Sequence, residues 1–227
     1  MARLGRPLAV YAVLAGLALA AACALPPAPF MRFLPGLPPV PVFAAAALAG
    51  ALALAGLEAQ GWTRPPGAAP RLRILAAATG IVALCAAAAI AIDLAAPFPR
   101  GMNVPSPQAL LFYPAIAVLV EIVFHLVPLA LVWSAANAAL GKAARDRLVL
   151  PCLAAVALLE PAFQIALSPP QTPLWVSAAV GLNVLVINLV QLAVFRRCGF
   201  AAMLAVRLAY YLLWHIVWGE LRLAVLS

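Results

Sequence analysis

Glu121 and His125 stand four residues apart inside an apolar stretch that runs from Tyr113 to Pro128. At helical spacing both side chains share one face. An ionisable group at the centre of a membrane helix costs roughly 3 kcal/mol on insertion scales, so it faces other helices or a polar site rather than lipid. The same interval recurs in Glu160 and Gln164, and again in Arg207, Tyr211 and His215. Each set lays a polar stripe, one turn apart, on an otherwise apolar helix. Carboxylates beside histidines suit a metal-bound water with a carboxylate base or a proton path. The packing alternative is mutual neutralisation, with Arg207 paired to Glu121 or Glu160 and the histidines bonded to backbone carbonyls. A buried ion pair is weak support for stability, because desolvation offsets most of the attraction. Convergence of the three stripes would make one buried polar cluster.

Asp93, Asn183, Asn188 and Gln191 are the other polar groups expected at membrane depth. Asp93 lies four residues before Pro97, near the end of an apolar run, where its carboxylate is expected to reach the interface. Asn183 and Asn188 are expected as hydrogen-bond partners between helices. Trp133, Trp175, Trp214 and Trp218 lie toward the ends of apolar runs and suit interfacial anchoring.

The elements that must position these groups follow from composition. The chain is 67% hydrophobic and 9% charged, which excludes an ordinary soluble domain and points to one embedded in a bilayer. The formal charge of +8 does not indicate nucleic acid, because the basic residues sit in short links between apolar runs and read as topology signals. Cys23, Cys85, Cys152 and Cys198 form no CxxC and no metal-ligand spacing, and are expected mostly as small core residues.

Seven apolar runs reach the length of about 20 residues that a crossing needs. They lie near 7–25, 42–58, 73–96, 108–135, 149–168, 174–195 and 200–225. The expected fold is an all-α, polytopic transmembrane bundle. Pro26 through Pro41 is a proline-rich connector, Trp62 through Gly67 a turn, and Ser168-Pro169-Pro170 the stop of the fifth run. The link Arg196-Arg197-Cys198-Gly199 is so short that the last two spans form an antiparallel hairpin.

Basic residues alternate between links. Arg3, Arg6, Arg64, Arg71, Arg73, Lys142, Arg145, Arg147, Arg196 and Arg197 fall on one side, ten against the three of Arg32, Arg100 and Arg222, with Arg207 inside a span. The positive-inside rule then places the amino terminus inside and the carboxyl terminus outside. Met1 to Pro7 followed by an apolar stretch also has the form of a signal peptide. The weak cleavage pattern favours an uncleaved anchor, and cleavage would leave the remaining topology unchanged.

Residues 108–227 resemble the CAAX-protease and bacteriocin-processing (CPBP, or Abi) family of intramembrane proteases. Val120-Glu121-Ile-Val-Phe-His125 resembles the family's Glu-Glu-x-x-x-Arg helix. Phe195-Arg196-Arg197-Cys198-Gly199, leading into the helix that bears Arg207, Tyr211 and His215, resembles its final motif helix. Leu158-Leu159-Glu160-Pro161-Ala-Phe163-Gln164 occupies the place of its Phe-x-x-x-His helix. The resemblance implies helices 1–3 over residues 1–107 and a four-helix core over 108–227. It also implies a multi-pass protein of a bacterial inner or plasma membrane, whose partners are the bilayer and a membrane peptide or protein.

Family members hold a divalent metal, with a glutamate activating water against a peptide bond, chemistry that a metal-bound water and a carboxylate can perform. Residue by residue, this chain departs from that pattern. The first Glu is Val120 and only the second survives, as Glu121; the Arg is His125. The middle-motif His is Gln164, the final-motif His is Arg207, and its Asn or Asp is Tyr211. A permanently charged Arg207 repels a cation. Zinc remains only if a substitute set of Glu121, His125, Glu160 and His215 forms. His215 stands about 12 Å beyond Arg207 along one helix, which strains such a set.

The expectation is therefore a divergent, non-catalytic member that binds a membrane peptide or partner, with an active, rearranged metallopeptidase as the alternative. Two further classes stay open. An exosortase-like transpeptidase would use Cys152 or Cys198 with Arg207 and the His215-to-Gly219 stretch. A transporter subunit would use the buried carboxylates, although neither an inverted repeat nor a glycine-broken helix pair is evident.

Overall fold

A computed structural model describes residues 2–63, 70–141, 145–169 and 171–226. Arg64, Lys142 and Pro170, used above as topology and turn signals, lie outside the described residues. The described residues contain helices and no strands, and seven helices are long and apolar enough to cross a membrane. The chain is thus an all-α, multi-pass bundle, with spans close to those expected from the apolar runs.

Helix α1 is Ala2–Ala24, α2 is Pro39–Ala59 and α3 is Pro70–Ala95. Helix α4 runs as Ala109–Val120, a π turn Glu121–Leu126, and Val127–Leu140. The fifth crossing is split into α5, Arg145–Ala157, and α6, Leu159–Ala166. Helix α7 is Leu174–Cys198. Helix α8 runs as Phe200–Tyr211, a π segment Leu212–Val217, and Trp218–Val225.

Helix α4 is the central element, with 56% of its most apolar stretch buried against 22% in α2. Helix α1 packs on α2 and α4, and α3 packs on α7 and α8, so one hydrophobic core runs through the bundle. The proline-rich link after α1 folds back, and fully buried Phe30 meets Phe43 and Phe112 at ring separations of 5.6 and 5.0 Å. Gly199, at φ 88°, makes the sharp turn between α7 and α8, in the left-handed region that glycine enters without a Cβ clash.

Two proline effects shape the bundle. Pro128 offers no N–H to the helix, and just before it the N–H of Val127 reaches back five residues to the Ile122 carbonyl. Pro161 leaves the Ala157 carbonyl without its helical donor at the break between α5 and α6. The Asn188 amide on α7 supplies the missing hydrogen bond at 3.1 Å.

Three of the four tryptophans expected at the interfaces are inside. Trp133 is 2% exposed and packs edge-on against Trp62 at 4.6 Å. The Arg196 guanidinium lies over Trp62 and donates to its carbonyl. Trp214 and Trp218 are buried as well, and Trp175 alone is exposed. Position near a span end did not decide their burial, because a large ring also gains by packing against other rings, as Trp133 does on Trp62 and Trp214 on Phe98. Among the cysteines, Cys85 and Cys152 are buried, Cys198 is intermediate and Cys23 is exposed.

Gly50 marks the closest approach of α2 to α1 and α4. A Cβ there would collide with the Tyr11 hydroxyl and lie 3.1 Å from Ile122, and that hydroxyl donates to the Ala47 carbonyl at 2.9 Å. Gly50→Val is expected to cost about 1–3 kcal/mol through overpacking, read as a lower unfolding midpoint in detergent micelles.

Candidate functional site

Glu121, Glu160 and Arg207 converge. Arg207 Nε donates to Glu121 Oε1 at 2.6 Å, and its Nη2 donates to Glu160 Oε2 at 2.9 Å. Nη1 reaches Glu160 Oε1 at 3.2 Å and the Tyr211 hydroxyl at 3.4 Å. Nη2 also meets Gln191 Oε1 at 2.9 Å and Asn188 Oδ1 at 3.3 Å. All three guanidinium nitrogens therefore have acceptors, although Arg207 is only 2% exposed. A buried charge persists where it is paired and its remaining hydrogen-bonding capacity is met.

Local structure sets these positions. The π turn carries Glu121 and His125, and His125 Nδ1 lies 2.7 Å from Glu121 Oε2. Glu160 sits in the first turn of α6, where the helix dipole favours a carboxylate. Gln164, one turn on, donates to Glu160 Oε1 at 3.2 Å. Asn188, held by the carbonyl that Pro161 leaves free, turns its oxygen toward Arg207.

His215 does not join the carboxylates. Its Nδ1 is 3.3 Å from Asn103 Oδ1, and its ring stacks on Tyr113 at 4.6 Å with 17° between planes. Among the described residues, no three His, Cys, Asp or Glu side chains are grouped to hold a metal. The set Glu121, His125, Glu160 and His215 does not assemble, because Arg207 fills the space between the carboxylates and His215 is tied elsewhere. The donor set therefore does not fit the zinc that the family resemblance implies.

A second buried ion pair corrects the expectation for Asp93 and Arg222. Asp93 is fully buried and accepts from Arg222 Nε and Nη2 and from Trp218 Nε1, each at 2.7 Å, and from the Phe98 N–H at 2.8 Å. Arg222 also donates to the carbonyls of Phe98 and Pro99. Both side chains are buried in the protein and paired, so Asp93 is not an open carboxylate and Arg222 is not a free topology charge. Asn183 is an interhelical partner as expected, donating to the Cys85 carbonyl at 3.1 Å.

A cavity of about 340 Å³ adjoins the Arg207 cluster; Glu160, Gln164, Arg207, Tyr211 and His215 line it, whereas Glu121 and His125 do not. A neighbouring cavity of about 740 Å³ shares Phe33, Phe98, Met102, Phe163, Gln164 and Val180 with it, so the two form one cleft. No cysteine lines either part among the described residues, so Cys152 and Cys198 are not placed as nucleophiles beside His215.

Asn188, Gln191 and Asn103 are site residues that reasoning from the stripes missed. Asn188 and Gln191 stand three apart on α7, a same-face spacing that marks them. Asn103 lies in a link and leaves no periodic signal. No family model, curated protein or solved structure matches this chain.

Proposed function

We propose that this chain is a membrane-embedded binding protein, a divergent relative of the CAAX-protease-like family without its metallopeptidase chemistry. Its cleft would hold an apolar segment of a membrane peptide or protein. The observation that carries this reading is the placement of Arg207 between Glu121 and Glu160, with every guanidinium nitrogen engaged. A fixed cation stands where a catalytic metal would need to sit. Glu121 is enclosed and bonded to Arg207 and His125, away from the cavity wall, so it is not available as a base toward a substrate in the cleft.

The cleft has the size of ligand sites generally. Its larger part is lined by the link between α3 and α4 and the link between α6 and α7. In the orientation expected from the basic links, both lie on the outer side. Helix α6 forms one wall, with Phe163 meeting Phe124 of α4 at 5.2 Å.

In phosphatidylcholine nanodiscs the purified protein is expected to bind a dansyl-labelled, leucine-rich single-span peptide saturably, read by energy transfer from Trp214 and the other tryptophans. It is expected to leave the peptide intact with or without added zinc. Zinc-dependent cleavage that chelators stop and Glu121→Gln abolishes would instead establish the active peptidase.

A further inference from the structure

Helix α6 is a short, internally bonded piece on a bent joint. The Ala162 N–H donates to the Leu158 carbonyl at 3.0 Å and the Leu167 N–H to the Phe163 carbonyl at 3.1 Å, and the Ser168 hydroxyl closes the end on the Gln164 carbonyl at 3.0 Å. Bending a helix ordinarily loses a backbone hydrogen bond. Here Pro161 has already removed one, and the Ala157 carbonyl is bonded to Asn188 of α7 instead. The joint between α5 and α6 can therefore turn without stranding that carbonyl. The first turn of α6 is pinned, because both oxygens of Glu160 are bonded to Arg207. Further along, Ile165 lies so close to Gly181 of α7 that a Cβ there would stand 2.6 Å from its terminal carbon. Gly181 offers no side chain to interlock with α6 at that point.

The facing side of the seam is held firmly. Phe124 stands in the π turn of α4 between Glu121 and His125, which are both fully buried and bonded to each other. Phe124 and Phe163 meet across the seam at 5.2 Å, and both line the cleft. Their neighbours face away from it. Val123, beside Phe124, and Leu159, one turn before Phe163, are half exposed and line neither part of the cleft. Phe163 itself is 48% exposed. One pair of rings thus separates the cleft from apolar surface that a bilayer would cover. Two phenyl rings form no hydrogen bond, so parting them strands no polar group.

Resting on the reading of the cleft as a binding site, we propose that α6 is its lateral gate. Helix α6 swings about its pinned first turn, Phe163 parts from Phe124, and an apolar segment enters the cleft directly from the lipid. This route keeps the segment out of water throughout, whereas entry between the links that line the larger part of the cleft would expose its apolar surface.

The test uses the full chain in phosphatidylcholine nanodiscs, carrying Cys23→Ala, Cys198→Ala, Phe124→Cys and Phe163→Cys. A short bis-methanethiosulfonate joins the two new thiols, and dithiothreitol releases them. Linking before the dansyl-labelled single-span peptide is added is expected to slow its association at least tenfold. Linking after the peptide has bound is expected to slow its release at least tenfold, and reduction is expected to restore both rates in the same molecules. A linker that merely filled the cleft would slow association and leave release unchanged, and that result overturns the gate. Equal association rates before and after reduction also overturn it, and leave the cleft reading standing with entry between the links. Absence of peptide binding by the parent protein removes both. Should the fourfold variant not fold or not link, Pro161→Ala decides. Its restored N–H would bond the Ala157 carbonyl and stiffen the joint. Association and release are then both expected to slow at least threefold, with slower amide hydrogen exchange in α6. Rates equal to the parent's overturn the gate.

Discussion

Arg207→Leu is expected to lower stability by about 3–5 kcal/mol, the cost of leaving buried charges without their partner. Two carboxylates, each within hydrogen-bond reach of the guanidinium, would lose it together, and Gln191 and Asn188 would lose a donor. Arg207→Lys is expected to recover only part of the loss. An ammonium keeps the charge but cannot bridge two carboxylates from Nε and Nη2 in fixed planar geometry. The decisive comparison is the neutral triple variant Glu121→Gln, Glu160→Gln and Arg207→Met, expected to return to within about 2 kcal/mol of the parent, since replacing a whole buried ionic set costs far less than halving it. Unfolding in mixed micelles by increasing sodium dodecyl sulfate measures all three. A triple variant as damaged as Arg207→Leu would show that the side-chain shapes, and not the charges, hold this region.

The second large effect is expected at Asp93. Asp93→Leu should cost about 3–5 kcal/mol by stranding Arg222, and it should act at a distance from the Arg207 cluster. Asp93 and Arg222 together hold the end of α3, the end of α8 and the link at Phe98 and Pro99. Phe98 lines both parts of the cleft. Hydrogen exchange should therefore accelerate at the Phe98 amide and its neighbours through Met102, while the amides of α4 around Glu121 keep their protection. Binding of the single-span peptide should weaken at least tenfold. Equal loss of protection in both regions would mean that the ion pair supports the bundle as a whole and not the wall of the cleft.

Much of the architecture was legible before any contact was known. Span positions follow from runs of apolar residues and their proline and glycine punctuation, which are local properties. The four-residue spacing of Glu121 with His125, Glu160 with Gln164, and Arg207 with Tyr211 placed each set on one helix face, and the helices keep them there. The pairing of Arg207 with the carboxylates was legible as a requirement, because a charge at membrane depth needs a partner. Its ligands from α7 were less so, although the three-residue spacing of Asn188 and Gln191 pointed to a shared face.

Partner choice lay beyond the reach of local pattern. Asp93 was read from its distance to a span end alone; its side-chain partners, Trp218 and Arg222, lie 125 and 129 residues further on. His215 shares a helix with Arg207, yet it turns to Tyr113 and to Asn103 in a link. Trp133 and Trp214 entered the core because neighbouring helices left room for them. The sequence by itself determined how many helices cross the bilayer and which buried charges require neutralising, since both depend on the free energy of moving residues out of water. Only the tertiary structure decided that one guanidinium would satisfy two carboxylates from different helices and that His215 would be left facing a cleft. Those outcomes depend on how helices distant in sequence pack, and hydropathy and periodicity carry no record of that.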